Sequence, residues 1–378
     1  MRYLRSRAGR LAAGLAAPLV LAGGLAGLGP AAASAATCVS LTGASPVATS
    51  TVDNTFTGVT EISPCDVWAA GFDAASGGDQ TLTEHWDGSS WTVVPSPSPG
   101  ADGSVLEDVR AVSANDAWAV GSFADSAGQH TLALHWNGSQ WSAVPSPSPA
   151  GTFSQFRAVR AVSSGNVWAV GSSFTNATGF QTVIEHWNGS QWSIVPSPNP
   201  GATGTNNTLS GLAVTSASNA WAVGTSSTAI ADHTLILHWD GTSWQRVPSP
   251  TPDGSDQLRG AAATSASNAW AVGASSDGAK TVILRWNGTG WQQVASPSPT
   301  VDNGLFRVAA TSASNAWAVG FTGAGSLILA WDGKKWAQVP SPPADQLNDI
   351  AAKSASNAWT VGAITAHGER LPVAFHCC

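Results

Sequence analysis

Tryptophan sets the terms for this chain. The motif "AWAVG" and its variants place Trp68, Trp118, Trp168, Trp221, Trp270, Trp317 and Trp359 at intervals of 42–53 residues. An "HW" motif and its variants follow, with Trp86, Trp136, Trp187, Trp239, Trp286 and Trp331. Five residues after each comes another: Trp91, Trp141, Trp192, Trp244, Trp291 and Trp336. All 19 tryptophans therefore belong to one repeat. A unit of this length, built of short strand-like runs, cannot bury its apolar faces alone, but stacked copies can.

Each unit offers four strands. In the second they are "LEDVRAVS" (106–113), "DAWAVGSF" (116–123), "HTLALHW" (130–136) and "QWSAVP" (140–145). These runs are rich in Val, Leu and Trp and are separated by turn residues, with no helical period competing. Asn137-Gly138 reads as a two-residue hairpin loop, recurring as Asn188-Gly189 and Asn287-Gly288, with Asp-Gly elsewhere. That register pairs 136 with 139 and 134 with 141, and places Leu134, Trp136 and Trp141 on one face. The expected fold is all-β: a seven-bladed β-propeller of four-stranded antiparallel blades. The seventh unit lacks its last strand. The segment "TCVSLTGASPVAT" (37–49) is expected to supply it and close the ring, so that no sheet edge stays open.

Residues 1–36 read as a secretory signal. "MRYLRSRAGR" is basic, "LAAGLAAPLVLAGGLAGLG" is apolar, and "AAASAA" offers small residues for cleavage. Residues 37–378 then form a single propeller domain, expected to be secreted and monomeric. No later apolar run approaches the ~18 residues that span a bilayer. Loss of Arg2, Arg5, Arg7 and Arg10 from the 16 basic residues, against 23 acidic ones, moves the formal charge from −7 to −11. An acidic chain without a basic stripe does not suit nucleic acid. In an oxidising compartment the four cysteines are expected to form a clasp. The preferred pairing joins Cys38 to Cys377 or Cys378, and Cys65 to the other. No metal or cofactor is expected.

The unit "AWAVG…HWNGSQWSAVPSPSP" resembles a kelch-like blade. It is also similar to the repeats of bacterial seven-bladed propeller lectins, which pair an aromatic-Gly strand with a "W-[ND]-G-x-x-W" hairpin. The likeness spans residues 52–378 and implies the propeller fold and a carbohydrate ligand. One glycine (Gly121, Gly171, Gly224) stands where kelch strands carry two. "DGSSW" is no sialidase Asp-box, because Asp87 is one position too near the Gly. The one tyrosine is Tyr3, within the leader, so sialidase chemistry with a Tyr nucleophile and a Tyr cross-linked copper oxidase are both excluded.

Function should lie where the copies disagree. The connections from fourth to first strand and from second to third vary in length, and both lie on one face, which is the candidate binding surface. Charged departures cluster in units 1–3: Glu61, Glu84, Glu107, Asp108, Arg110, Arg157, Arg160 and Glu185. Four of the five glutamates are among them. Glu84 is expected beside Trp86 and Trp91, and Glu185 beside Trp187 and Trp192. A carboxylate against an indole face suits a sugar, whose hydroxyls donate while its C–H faces stack. The leading expectation is a non-catalytic, lectin-like binding propeller. The alternatives are a polysaccharide hydrolase or lyase using Glu61, Glu107 or Asp108 with Arg110 and Arg160, and a scaffold that holds a protein on the variable-loop face. The repeated tryptophans and the repeated histidine (His85, His135, His186, His238, His376) are expected to be structural.

Overall fold

The computed structural model describes residues 42–44, 53–75, 77–149, 151, 153–200 and 205–377. The leader, Cys38 and Cys378 lie outside them, as does the side chain of Cys377. Every regular element among the described residues is a strand, so no helix there is long and apolar enough to cross a membrane.

The strands make seven antiparallel blades. The second comprises Gly103–Ser113, Asp116–Asp125, Gly128–Trp136 and Trp141–Ala143 from axis to rim. The first strands of successive blades, from Asn54–Ser63 to Gln346–Ser354, surround the axis. Blade 7 is completed from the far end of the chain. Thr42–Ala44 lies antiparallel to Glu369–Cys377, with Thr42 opposite His376 and Ala44 opposite Ala374. The expected closure is formed.

The wedges between blades hold the core. In six of the seven, the Trp of an "AWAVG" strand packs on the next blade's outer tryptophans. Trp118 meets Trp187 at 5.0 Å and Trp192 at 5.2 Å, the latter edge-on at 88°. Trp359 of blade 7 meets Trp86 and Trp91 of blade 1, both at 5.5 Å, so the same contact closes the circle. Offset and edge-to-face pairs of this kind add to the large apolar area each indole buries. The half-buried "HW" indoles donate through Nε1 to turn carbonyls, as Trp136 does to Ala114 at 3.0 Å. The Pro-Ser-Pro exits are strapped down too: Thr131 Oγ1 lies 2.8 Å from Ser146 Oγ and 3.1 Å from Ser148 Oγ.

The outer hairpin differs from the expected one. Trp136 faces Trp141 and Leu134 faces Ala143 across a four-residue loop. Asn137 Oδ1 accepts from Ser139 N, Ser139 Oγ and Gln140 N at 2.8–3.0 Å, and Gly138 adopts φ +92°. The asparagine side chain closes the turn itself, which makes room for two more residues. Since the slip is an even number of residues, Leu134, Trp136 and Trp141 still share a face.

Cys65 is an exposed free thiol, so its expected disulfide is not formed. It occupies the turn position held by Asn115, Ser218 and Ser314 in other blades. A Cβ added to the hairpin Gly88 would lie 2.8 Å from the Cys65 Cβ, so the side chain caps that turn. The pairing of Cys38 with Cys377 or Cys378 lies outside the described residues.

Candidate functional site

One irregularity recurs in every blade and builds the site. Each first strand carries a β-bulge three residues before the Arg110 slot, and the extra residue is turned toward the axis. The seven residues so placed are Thr57, Glu107, Arg157, Ser210, Arg259, Phe306 and Asn348. All seven line one axial funnel of about 680 Å³. The apolar residue before each bulge, from Phe56 and Leu106 to Leu347, is wholly buried or within 1 % of it. The anchors are thus uniform while the projected residues are nearly all different.

The funnel opens on the face of the variable connections, and their ends add Phe72, Phe153, Phe180 and Arg370 to its wall. Arg157 pairs with Glu107 at 2.8 Å and donates through Nε and Nη2 to the Gln155 amide oxygen at 2.9 and 3.0 Å. Asn348 Nδ2 donates to Phe56 O at 2.6 Å. Arg259 is different. Its guanidinium lies 5.3 Å from the Phe306 ring centroid, has no ion pair among the described residues, and is held below the usual arginine pKa by burial. A half-buried cation resting on an aromatic face, with no carboxylate beside it, is ready to take an anion.

Below the funnel, charges cross the axis. Asp108 accepts from Val159 N at 3.0 Å and from Arg160 at 2.6 Å, and Arg110 lies 3.4 Å away. Arg110 also pairs with Asp349 at 3.1 Å, and Asp349 accepts from Val59 N at 2.9 Å. Arg307 stands 3.9 Å from Asp349 and donates through Nη2 to Arg157 O at 3.0 Å, linking blades 6 and 3. Burial alone would raise the Asp108 carboxyl, but Arg110, Arg160 and Arg307 hold it below its ordinary value. Burial and the neighbouring Arg110 lower Arg160 to about 10.

The charged cluster anticipated in units 1–3 therefore separates into four places. Glu107 and Arg157 reach the funnel. Asp108, Arg110 and Arg160 form the axial network together with Asp349 and Arg307, while Glu61 stands at the opposite mouth. Glu84 and Glu185 are fully buried in wedges, and Trp91 and Trp192 are 3 % and 4 % exposed. The expected sugar platform of Glu84, Trp86 and Trp91, and that of Glu185, Trp187 and Trp192, are not formed. Each third strand turns that face toward the neighbouring blade, so these residues build the wall. Neither oxygen of Glu185 has a hydrogen-bond partner, and burial pushes its pKa up to about 8.

The repeated histidines hold the second strands, as His85 does 2.8 Å from Asp66 with its ring 4.6 Å from Trp68. Among the described residues no group of three or more His, Cys, Asp or Glu is placed to hold a metal ion. Sequence reasoning missed Arg259, Phe306, Asn348, Arg307 and Asp349. The signal was present: "LNDIAA" aligns with "LEDVRA", which pairs Asp349 with Asp108 and brings the bulge column into register.

No protein-family model matches the chain, and no curated protein matches it in sequence. Solved structures match in shape. A YCF48 bound to D1 peptide is 17 % identical, with 87 % of this chain and 95 % of that one covered and a TM-score of 0.54. YCF48 from Cyanidioschyzon merolae is 16 % identical over 89 % and 98 %, with a TM-score of 0.58. The WD40 propeller domain of Doa1 is 14 % identical over 89 % and 97 %, with a TM-score of 0.53. This chain is a β-propeller. At these identities the likeness is one of fold.

Proposed function

We propose that the protein is an exported, non-catalytic binding propeller that takes an acidic peptide segment into its axial funnel. The bulge column carries this reading: seven nearly different side chains on uniform anchors, aimed at one cavity and including the unpaired Arg259. The ligand's carboxylate would sit on Arg259. Its apolar side chains would fill the space between Phe153, Phe180 and Phe306, and its backbone would meet Ser210, Gln346 and Asn348. The YCF48 bound to D1 peptide has the same fold, which makes a peptide a reasonable occupant of such a mouth.

A saccharide is the weaker reading, because no tryptophan lines the funnel and the expected carboxylate–indole platforms are walled in. Two-carboxylate hydrolysis lacks a partner group. Glu107 is the one carboxylate among the described funnel residues, and Arg157 neutralises it.

The test is fluorescence polarisation against a library of acidic peptides, run beside an array of neutral and uronate-bearing glycans. Acidic peptides should bind, weaken as salt rises, and lose about tenfold or more on Arg259→Gln, the scale of one charge-assisted hydrogen bond. Glycan binding without peptide binding would overturn the peptide assignment and restore the carbohydrate one.

A further inference from the structure

The axial network has a second open side, independent of the funnel. At the opposite mouth is a cavity of about 240 Å³, half of whose lining residues are alanines, all but Ala261 from the slots of blades 4–7 that correspond to Arg110 and the residue after it. Arg110, Arg160, Glu61 and Lys353 also line it.

The charges there do not balance. Three arginines (Arg110, Arg160, Arg307) face two aspartates (Asp108, Asp349), so the buried network carries one positive charge in excess. Arg110 and Arg160 flank the same Asp108 carboxylate, and each spends only Nη1 on the protein. Their Nε and Nη2 groups make no hydrogen bond to any described residue. These donors face the open mouth, where an anion can replace the water that meets them.

Glu61 points the same way. It is 4 % exposed, Oε1 accepts from Asn357 Nδ2 at 2.7 Å, and Oε2 has no partner. Burial raises its pKa, against the lowering by the Asn357 hydrogen bond and by Lys353. Two guanidinium groups and the Glu61 carboxyl thus line a space too small for a polymer and walled largely by methyl groups.

We infer that this mouth is a binding site for a small carboxylate with a short aliphatic body, its oxygens held by Arg110 and Arg160 and its carbons against the alanine wall. Arginine suits carboxylate geometry, since two parallel N–H groups meet two oxygens. The alanines would exclude longer chains.

The test is a titration of the full chain with acetate, propionate and butyrate, and separately with inorganic phosphate and chloride, at fixed ionic strength. Calorimetry and thermal unfolding are the readouts. A saturable heat and a saturable rise in Tm are expected for the carboxylates and not for phosphate or chloride. Ala309→Leu fills the cavity without touching the ion network and should abolish both signals in a protein whose circular dichroism is unchanged. Arg160→Lys should weaken binding about tenfold or more. Arg259→Gln, in the funnel, should leave it unaltered, which separates this site from the peptide reading. Binding that survives Ala309→Leu, a preference for phosphate or chloride, or the absence of a saturable signal would each overturn the assignment.

Discussion

At the scale of single residues, burial decides what a charge can do. Glu185 occupies a position held by Leu134, Leu237, Leu284 and Leu329 in other blades, and nothing in its wedge replaces the water it loses. Its pKa of about 8 in the folded chain lies above the ordinary glutamate value of 4.5. The folded state therefore keeps a proton that the unfolded state releases. Stability should fall as pH rises from about 4.5 to 8 and level off beyond, by up to roughly 4 kcal/mol from this residue. Denaturant unfolding at pH 5 and pH 8.5 checks this: Glu185→Gln should remove most of the difference, and Glu185→Leu should be the more stable protein at pH 8.5. An equal pH dependence in all three would reject the account. The sequence showed that Glu185 departs from its column. It did not show that the departure faces a neighbouring blade, because alternation along a strand gives two faces and not which of them is covered.

Among elements, the bulge explains the single glycine of "AWAVG". Gly121 pairs with Leu106 immediately before the bulge in the first strand, and a Cβ there would stand 2.0 Å from Val105 O. Gly71, Gly171, Gly224, Gly273, Gly320 and Gly362 meet the same carbonyl in their own blades at 1.9–2.0 Å. The glycine lets the first strand press close, and the bulge then turns one side chain inward. Gly121→Ala should destabilise the protein on the order of 2–4 kcal/mol, the scale of overpacking against backbone. It should also disturb the funnel, through Glu107 and its pair Arg157. Chemical unfolding measures the first, and loss of peptide affinity in the still-folded variant the second; an unperturbed Tm would show that the strands have slack. Strand order, blade count and tryptophan packing were legible from the period alone. The bulge column was not, since a bulge leaves no composition of its own and is found only by aligning blades on the positions beside it.

For the whole molecule, stability rests on a ring whose closures are unequal. Six wedges hold a tryptophan from one blade against two from the next. The wedge between blades 6 and 7 does not. Cys377 and the short N-terminal strand stand where "HW" and the last tryptophan would be, and Trp317 packs among Leu347, Ile350 and Phe375. Among the described residues Trp317 makes no ring contact with another aromatic. Thr42–Ala44 covers the outer edge of the strand Glu369–Cys377 beside this wedge, which would otherwise present unpaired backbone groups. Cooperative units of lower stability open first, so the ring should part between blades 6 and 7. Hydrogen exchange should be fastest, among strand amides, in Glu369–Cys377 and in the flanking strand Asn357–Ala366. A chain beginning at residue 53 should lose protection in those two strands and associate through the bared edge as concentration rises, with sedimentation velocity as the readout. Uniform exchange around the ring, and a truncated chain that stays monomeric, would mean that the wedges alone hold the circle and that the N-terminal strand contributes little to its closure.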